Sequence, residues 1–344
     1  MIDIMEMNID AVVGPVVGPV VGPMCWSGLE LAARDDWALN LDAEAAAELA
    51  DATAALADHP VVSITATDAP LPKAAAILSR LKTLATSGPG IALLRGVPVE
   101  TAEAAARALW LIGVHIGLPQ PQDAAGGLIH DIRDTGADPD TQTDVRVYQT
   151  ALAQPFHNDG GDLFMLLCRQ PAVEGGDSRI VSAPALFNEV LARRPELAAV
   201  LQQPFPFDAR GNQLPGRSPV QQLPIFSSRD GGLFILHKRH YIDYATDIPG
   251  VPPLTDDQVA ALDLVDEICA DPSFQYAFRM KAGDLIVGNN FTTLHARDAF
   301  ADPGGPSGRH MMRLWIGLTD GPKLPAAFRE TREFGALFNI PGRA

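Results

Sequence analysis

Cysteine is scarce in this chain: Cys25, Cys168 and Cys269 are odd in number, widely spaced and in no Cys-x-x-Cys pair. That argues against a disulfide framework and against a structural zinc site, and it leaves three reduced thiols. Long apolar runs are missing too. No uninterrupted stretch approaches the roughly 20 residues of a membrane helix, so no transmembrane segment is expected. Basic residues are outnumbered, with 26 Lys and Arg against 42 Asp and Glu, a formal charge of −16. Such a balance repels phosphate backbones, whose binding rests on lysine and arginine displacing counterions, so no nucleic-acid partner is expected. The opening MIDIMEMNID carries acids where a secretory signal carries lysine or arginine, which points to a cytoplasmic protein. There is no glycine-rich phosphate loop, no Gly-x-Ser-x-Gly elbow and no His-Glu-x-x-His helix. Small-molecule chemistry of some other kind is left.

What is there begins with VVGP, written three times over residues 12–23. Proline every fourth residue removes donors and fixes φ, so residues 1–24 read as an extended N-terminal arm and 25–344 as a single domain. Residues 41–59, LDAEAAAELADATAALADH, have helical spacing behind Asp42 as a cap. GIALLRGVPV at 90–99 reads as a buried strand, and TAEAAARALWLIGVHIG returns to helical spacing. From 145 onward short strand-like runs predominate: VRVYQT, DLFMLLC, SRIVSA, GLFILH, FQYAFRM, DLIVGNN and HMMRLWIGL. One helix, 184–202, interrupts them. Helices first and short strands after predict a mainly β domain with flanking α, a sandwich or barrel rather than a doubly wound parallel sheet.

The stretch QPFHNDGGDLF at 154–164 places His157 and Asp159 two positions apart. If that stretch is a strand, a period of two points both to one face, where they can grip one cation. Taken alone, the same letters also describe an aspartate opening a turn at Gly160-Gly161 beside a surface histidine. His295 follows in AGDLIVGNNFTTLHARDAF. His237 and His240 stand among Lys238 and Arg239, and His59, His115 and His130 lack an acidic partner at ligand spacing. In GRHMMRLWIGL, His310 shares a strand face with Met312, Leu314 and Ile316, whereas Arg309, Met311, Arg313 and Trp315 share the other. Guanidinium groups are costly to bury without an anion, and they bind carboxylates through paired hydrogen bonds. Two histidines and one carboxylate with open positions are the facial triad of non-heme Fe(II) oxygenases. The same ligands suit zinc, so a hydrolase stays open on these residues alone.

With FHNDGGDLF, EGGDSRIVS, GDLIVGNNFTTLHARDAF and RHMMRLW in this order, the chain resembles the Fe(II) and 2-oxoglutarate dependent dioxygenases of the taurine dioxygenase (TauD/TfdA) family, clavaminate synthase-like branch, from about residue 85 to 318. The resemblance implies a double-stranded β-helix, or jelly roll, over about 85–320, with an insertion between core strands. By it, His157, Asp159 and His295 are the iron ligands. Arg309, fourteen residues after His295, binds the distal carboxylate of 2-oxoglutarate with help from Ser178, and Arg313 holds an anionic group of the substrate. Ala153 stands where the taurine enzyme has a substrate-contacting asparagine, which speaks against taurine. The implied activity is hydroxylation of an unactivated carbon of a small anionic molecule, such as an amino acid or natural-product intermediate, with O2 consumed and succinate and CO2 released. Desaturation or ring formation by the same oxidant, or a non-catalytic jelly-roll binding module, are the alternatives. Halogenation is disfavoured, because family members that halogenate have a small residue where this chain has Asp159. The long connections at 203–225 and 242–254 are read as lids over the site.

Overall fold

A computed structural model describes residues 16–137, 145–213, 216–302 and 308–331. Two sheets face each other. The larger orders its strands Ala38–Asn40, Ile91–Arg95, Leu285–Asn289, Leu163–Gln170, His310–Gly317 and Leu118–Gln120, with Ile129–Ile132 also paired to His310–Gly317. The smaller runs Tyr276–Phe278, Ser178–Ser182, Thr293–Arg297 and Gln154–His157. Apart from the parallel pairing of Ala38–Asn40 with Ile91–Arg95, neighbours in both sheets are antiparallel. This is the jelly-roll core that the resemblance implies, with the flanking helices that the order of elements predicts.

The strands of the large sheet are apolar on both faces because both faces are covered. Ile91, Leu93, Phe164, Ile286, Met311 and Trp315 point inward and meet Ile180 of the small sheet. Their alternates Ala92, Leu94, Met165, Val287, Met312 and Leu314 point outward to the helices Ala43–Ala55, Ala75–Ser87 and Ala102–Ile116. The first of these starts where its sequence says, with the Asp42 side chain accepting from Ala45 N at 2.8 Å. Helices Ala183–Arg193, Pro195–Val200 and Asp256–Ala270 cover the small sheet in a separate apolar cluster. The described part of the arm has no helix or strand and lies along two of these helices. Its Val16 N donates to Gln202 Oε1 and its Val20 N to Asn188 Oδ1, each at 2.7 Å. Residues 1–15 lie outside the described residues.

Several local expectations are corrected. VRVYQT is not a strand: Val147–Gln149 forms one 3-10 turn, and Thr150 Oγ1 donates back to Val147 O. The single helix at 184–202 is two helices. Pro195 has no N–H to continue the first and forces Arg194 out of the helical conformation (φ −147°, ψ 75°). Where only long connections were expected, there are a hairpin of Pro204–Asp208 with Val220–Pro224 and a helix Arg239–Thr246. Among the described residues, no helix is long and apolar enough to cross a membrane.

Candidate metal centre and its two cavities

The strand Gln154–His157 pairs with Thr293–Arg297 in a register that sets His157 directly opposite His295. The two rings stand 4.2 Å apart between centroids, and Phe164 packs 4.3 Å from the His295 ring. Asp159 is not on that strand, contrary to the period-two reading. The ladder ends at His157, because Asn158 turns into the protein. Fully buried, its amide donates to Ile235 O and Asn290 O, and its Oδ1 accepts from His237 N. A second buried asparagine then shapes the turn. Asn290 Oδ1 accepts from Asp159 N at 3.1 Å, and its amide donates to Gly160 O and Gly161 O. Glycine is required at both positions. A Cβ on Gly160 would lie 2.5 Å from the Trp315 ring, and Gly161 has φ +76°. Asp162 Oδ2 accepts from Leu318 N at 2.6 Å, tying the turn to the end of the last long strand.

One donor atom from each of His157, Asp159 and His295 lies within 4.8 Å of the others, and Asp159 Oδ2 is 3.5 Å from His295 Nε2. That Oδ2 is buried with no hydrogen-bond partner among the described residues, as a carboxylate oxygen meant for a cation would be. Oδ1 accepts from Arg313 Nη1 at 2.7 Å. Burial pushes the Asp159 carboxyl up, but Arg313 and the two imidazoles outweigh it and hold the group well below the usual carboxylate range. Burial and the adjacent His295 push the His157 imidazole well below its ordinary value, so it stays neutral and able to ligate. His157 Nδ1 lies 2.9 Å from Pro155 O, a pure acceptor, so Nδ1 carries the proton and Nε2 the lone pair. The side-chain nitrogen of Gln154 sits 2.9 Å from that Nε2. A set of two imidazoles and one carboxylate with a bare buried oxygen fits a divalent metal.

Two cavities meet at these residues. The inner one is narrow and lies between the sheets, lined by Ser178, Ile180, Arg297 and Arg309. The outer one is lined by Arg146, Tyr148, Tyr241, Tyr244 and Trp315. His157, Asp159, Gln154 and Arg313 line both. The six residues singled out in the sequence therefore come together. Arg313 does so by holding Asp159 with one nitrogen and Gln122 Oε1 with Nε, at 2.7 Å each. His310 is turned away, with Nε2 2.6 Å from Asp131 Oδ1, as its strand parity predicts. His237 is buried elsewhere, 3.5 Å from Asp266.

Sequence reading missed Asn290, Gln154, Gln122 and Arg297. Arg297 alone left a signal, standing two residues past His295 and so on the same strand face. Asn290 and Gln122 act from remote segments, and no spacing announces them.

Known proteins give a consistent comparison. The family model described as taurine catabolism dioxygenase TauD, TfdA family matches residues 52–315. FR-33289 synthase of Streptomyces rubellomurinus is 29% identical over 315 residues, covering 89% of this chain and 93% of that protein. Among solved structures, asparagine oxygenase in complex with Fe(II), hydroxyasparagine and succinate superposes with a TM-score of 0.63 at 17% identity, covering 81% of this chain and 93% of the other. A non-heme iron oxygenase, OrfP, in complex with Fe and alpha-ketoglutaric acid gives 0.60 at 15% identity, with 81% and 93% covered.

Proposed function

The chain belongs to the taurine catabolism dioxygenase TauD, TfdA family, and from that premise we propose that it hydroxylates an unactivated carbon of a small anionic substrate, with residues 25–344 as one dioxygenase domain. It is a 2-oxoglutarate-dependent non-heme iron dioxygenase. The observation that carries the assignment of its site is the junction of two cavities at His157 and Asp159, with His295 completing the donor set from the wall of the inner one.

Fe(II) held by these three side chains, with 2-oxoglutarate beside it, supplies O2 activation coupled to loss of CO2 and formation of succinate. The chain's own residues do the rest. Pro155 O fixes the His157 tautomer, and Arg313 keeps Asp159 ionised and aimed. Arg309 and Ser178, in the inner cavity, take the distal carboxylate of 2-oxoglutarate. The substrate enters the outer cavity, whose walls carry Arg146, Arg210, Lys238 and Arg313 against Asp123 and Asp159, Arg239 there being taken up by Asp243, Asp263 and Asp266. In a chain of net charge −16 that local excess of cations favours an anion, an amino acid or similar small acid. Arg313 reaches this cavity too and is the nearest cation to the metal ligands for a substrate carboxylate. Tyr148 and Trp315 flank its guanidinium at 5.3 and 5.2 Å, restricting where the substrate's reacting carbon comes to rest.

Anaerobic addition of Fe(II) and 2-oxoglutarate should produce a weak visible charge-transfer band. A succinate-release screen over amino acids and small acids then identifies the substrate. No band, together with zinc-supported hydrolysis, would refute the assignment.

A further inference from the structure

We propose that Arg297 is a second anion-binding arginine of the inner cavity, sharing with Arg309 the distal carboxylate of 2-oxoglutarate. The inference rests on the reading above that this diacid is the cosubstrate.

The first ground is uncompensated charge. Arg297 and Arg309 are 6% and 4% exposed. Among the described residues neither has a carboxylate in ion-pair contact; Asp134 and Asp302 act on them only through space. Nε and Nη1 of Arg297 and Nη1 of Arg309 are buried with no hydrogen-bond partner. Isolated buried cations are among the most expensive groups a protein can hold, and they persist where a ligand supplies the opposite charge.

The second ground is placement. Both guanidinium carbons lie over one ring, Phe300, at 4.9 and 5.3 Å from its centroid, and both line the same cavity as the metal ligands. The register of the small sheet shows how the cavity is graded. His295 stands opposite His157 on one side and Ile180 on the other, whereas Arg297 stands opposite Gln154 and Ser178. The metal row and the anion row are therefore two residues apart on one strand face, about 7 Å. A five-carbon diacid that chelates at one end spans that step. Ser178, already assigned to the distal carboxylate, is the direct cross-strand neighbour of Arg297.

The third ground is that Arg297 is held in position before any ligand arrives. Its Nη2 donates to Thr150 O at 3.0 Å and to Leu152 O, and Phe300 N donates to Ala151 O at 3.0 Å. One nitrogen is thus committed to the backbone that leads into the His157 strand, and two are left for an anion. A purely structural arginine at this position would have no reason to leave them bare.

The test compares 2-oxoglutarate with 2-oxopentanoate, the same 2-oxo acid without the distal carboxylate, by calorimetric titration of the full chain loaded with Mn(II). Arg297→Met should weaken 2-oxoglutarate roughly 10- to 100-fold, the worth of a charge-assisted hydrogen bond, with 2-oxopentanoate affinity unchanged. Arg297→Lys should fall between, and Arg309→Met should show the same selective loss. Should Arg297→Met not fold, the ratio of the two affinities in Arg297→Lys decides, since a lysine that leaves this ratio at the wild-type value overturns the proposal. Equal weakening of both ligands would reduce Arg297 to a brace for residues 150–152 and overturn the proposal while the dioxygenase reading stands. Failure of the unaltered protein to bind 2-oxoglutarate would overturn both.

Discussion

Replacing Arg313 by methionine removes the cation from Asp159 while keeping much of the side-chain volume. The pair is 2.7 Å apart, and its side chains are only 10% and 6% exposed. Breaking such a buried pair from one side costs about 3–5 kcal/mol, because the remaining charge is stranded. With an unfolding entropy of about 2.1 cal/mol/K per residue, a chain of 344 residues loses about 4–7 °C in Tm from that cost. A divalent cation bound at the triad supplies the missing positive charge, so with Mn(II) the loss should shrink by roughly half or more. The pH dependence follows from the direction of the Asp159 shift. In the unaltered protein its carboxyl is held below the usual range. The folded value lies below the unfolded one of about 3.9, so the stabilisation is present above that pH and is lost as pH falls through the folded value. Without Arg313 its lowering effect is lost and the folded value moves up. Acidification from about pH 7 to 5 then favours the variant relative to the parent, and the gap in Tm narrows. Differential scanning fluorimetry with EDTA and with Mn(II), at both pH values, measures all of this. A loss of the same size with and without metal would refute the view that Arg313 compensates the Asp159 charge.

Three further outcomes follow from the same geometry. His295→Ala should fold but show no rise in Tm on adding Mn(II); a rise equal to that of the parent would remove His295 from the ligand set. Asn290→Leu strands Asp159 N–H and the carbonyls of Gly160 and Gly161, at about 1–3 kcal/mol for each unsatisfied group. Urea denaturation should therefore show a loss of several kcal/mol together with weaker metal binding, and parental stability would contradict the role given to this side chain. Gly160→Ala drives a methyl group into the Trp315 ring and should cost about 1–3 kcal/mol. The near-ultraviolet circular dichroism of the tryptophan should change with it, and an unaltered spectrum would show that the turn yields without cost.

Much of the core was legible because strand and helix periods survive in the letters. The parity of the last long strand placed Arg313 and Trp315 inward and His310 outward, and the structure agrees. Parity failed at His157 and Asp159, where it assumed that the strand continued. What ends it is Asn158, whose partners come from residues 235, 237 and 290. The helix break at Pro195 was open to a local rule and was passed over in favour of apolar spacing on either side. The helix Arg239–Thr246 gave little warning, because it is only eight residues long and begins without a side-chain cap.

By itself, then, the sequence determined the residues proposed to carry the chemistry: two histidines, one aspartate and the arginines behind them, in their order and spacing. Tertiary structure alone decided how they meet. The pairing of residues 154–157 with 293–297 sets one imidazole against the other, and Asn290 turns the carboxylate toward them. A buried charge takes its properties from whatever surrounds it, and here those surroundings come from segments more than a hundred residues apart. Thus Asp159 depends on Arg313, and Arg297 shares the Phe300 ring with Arg309 with no carboxylate in contact among the described residues.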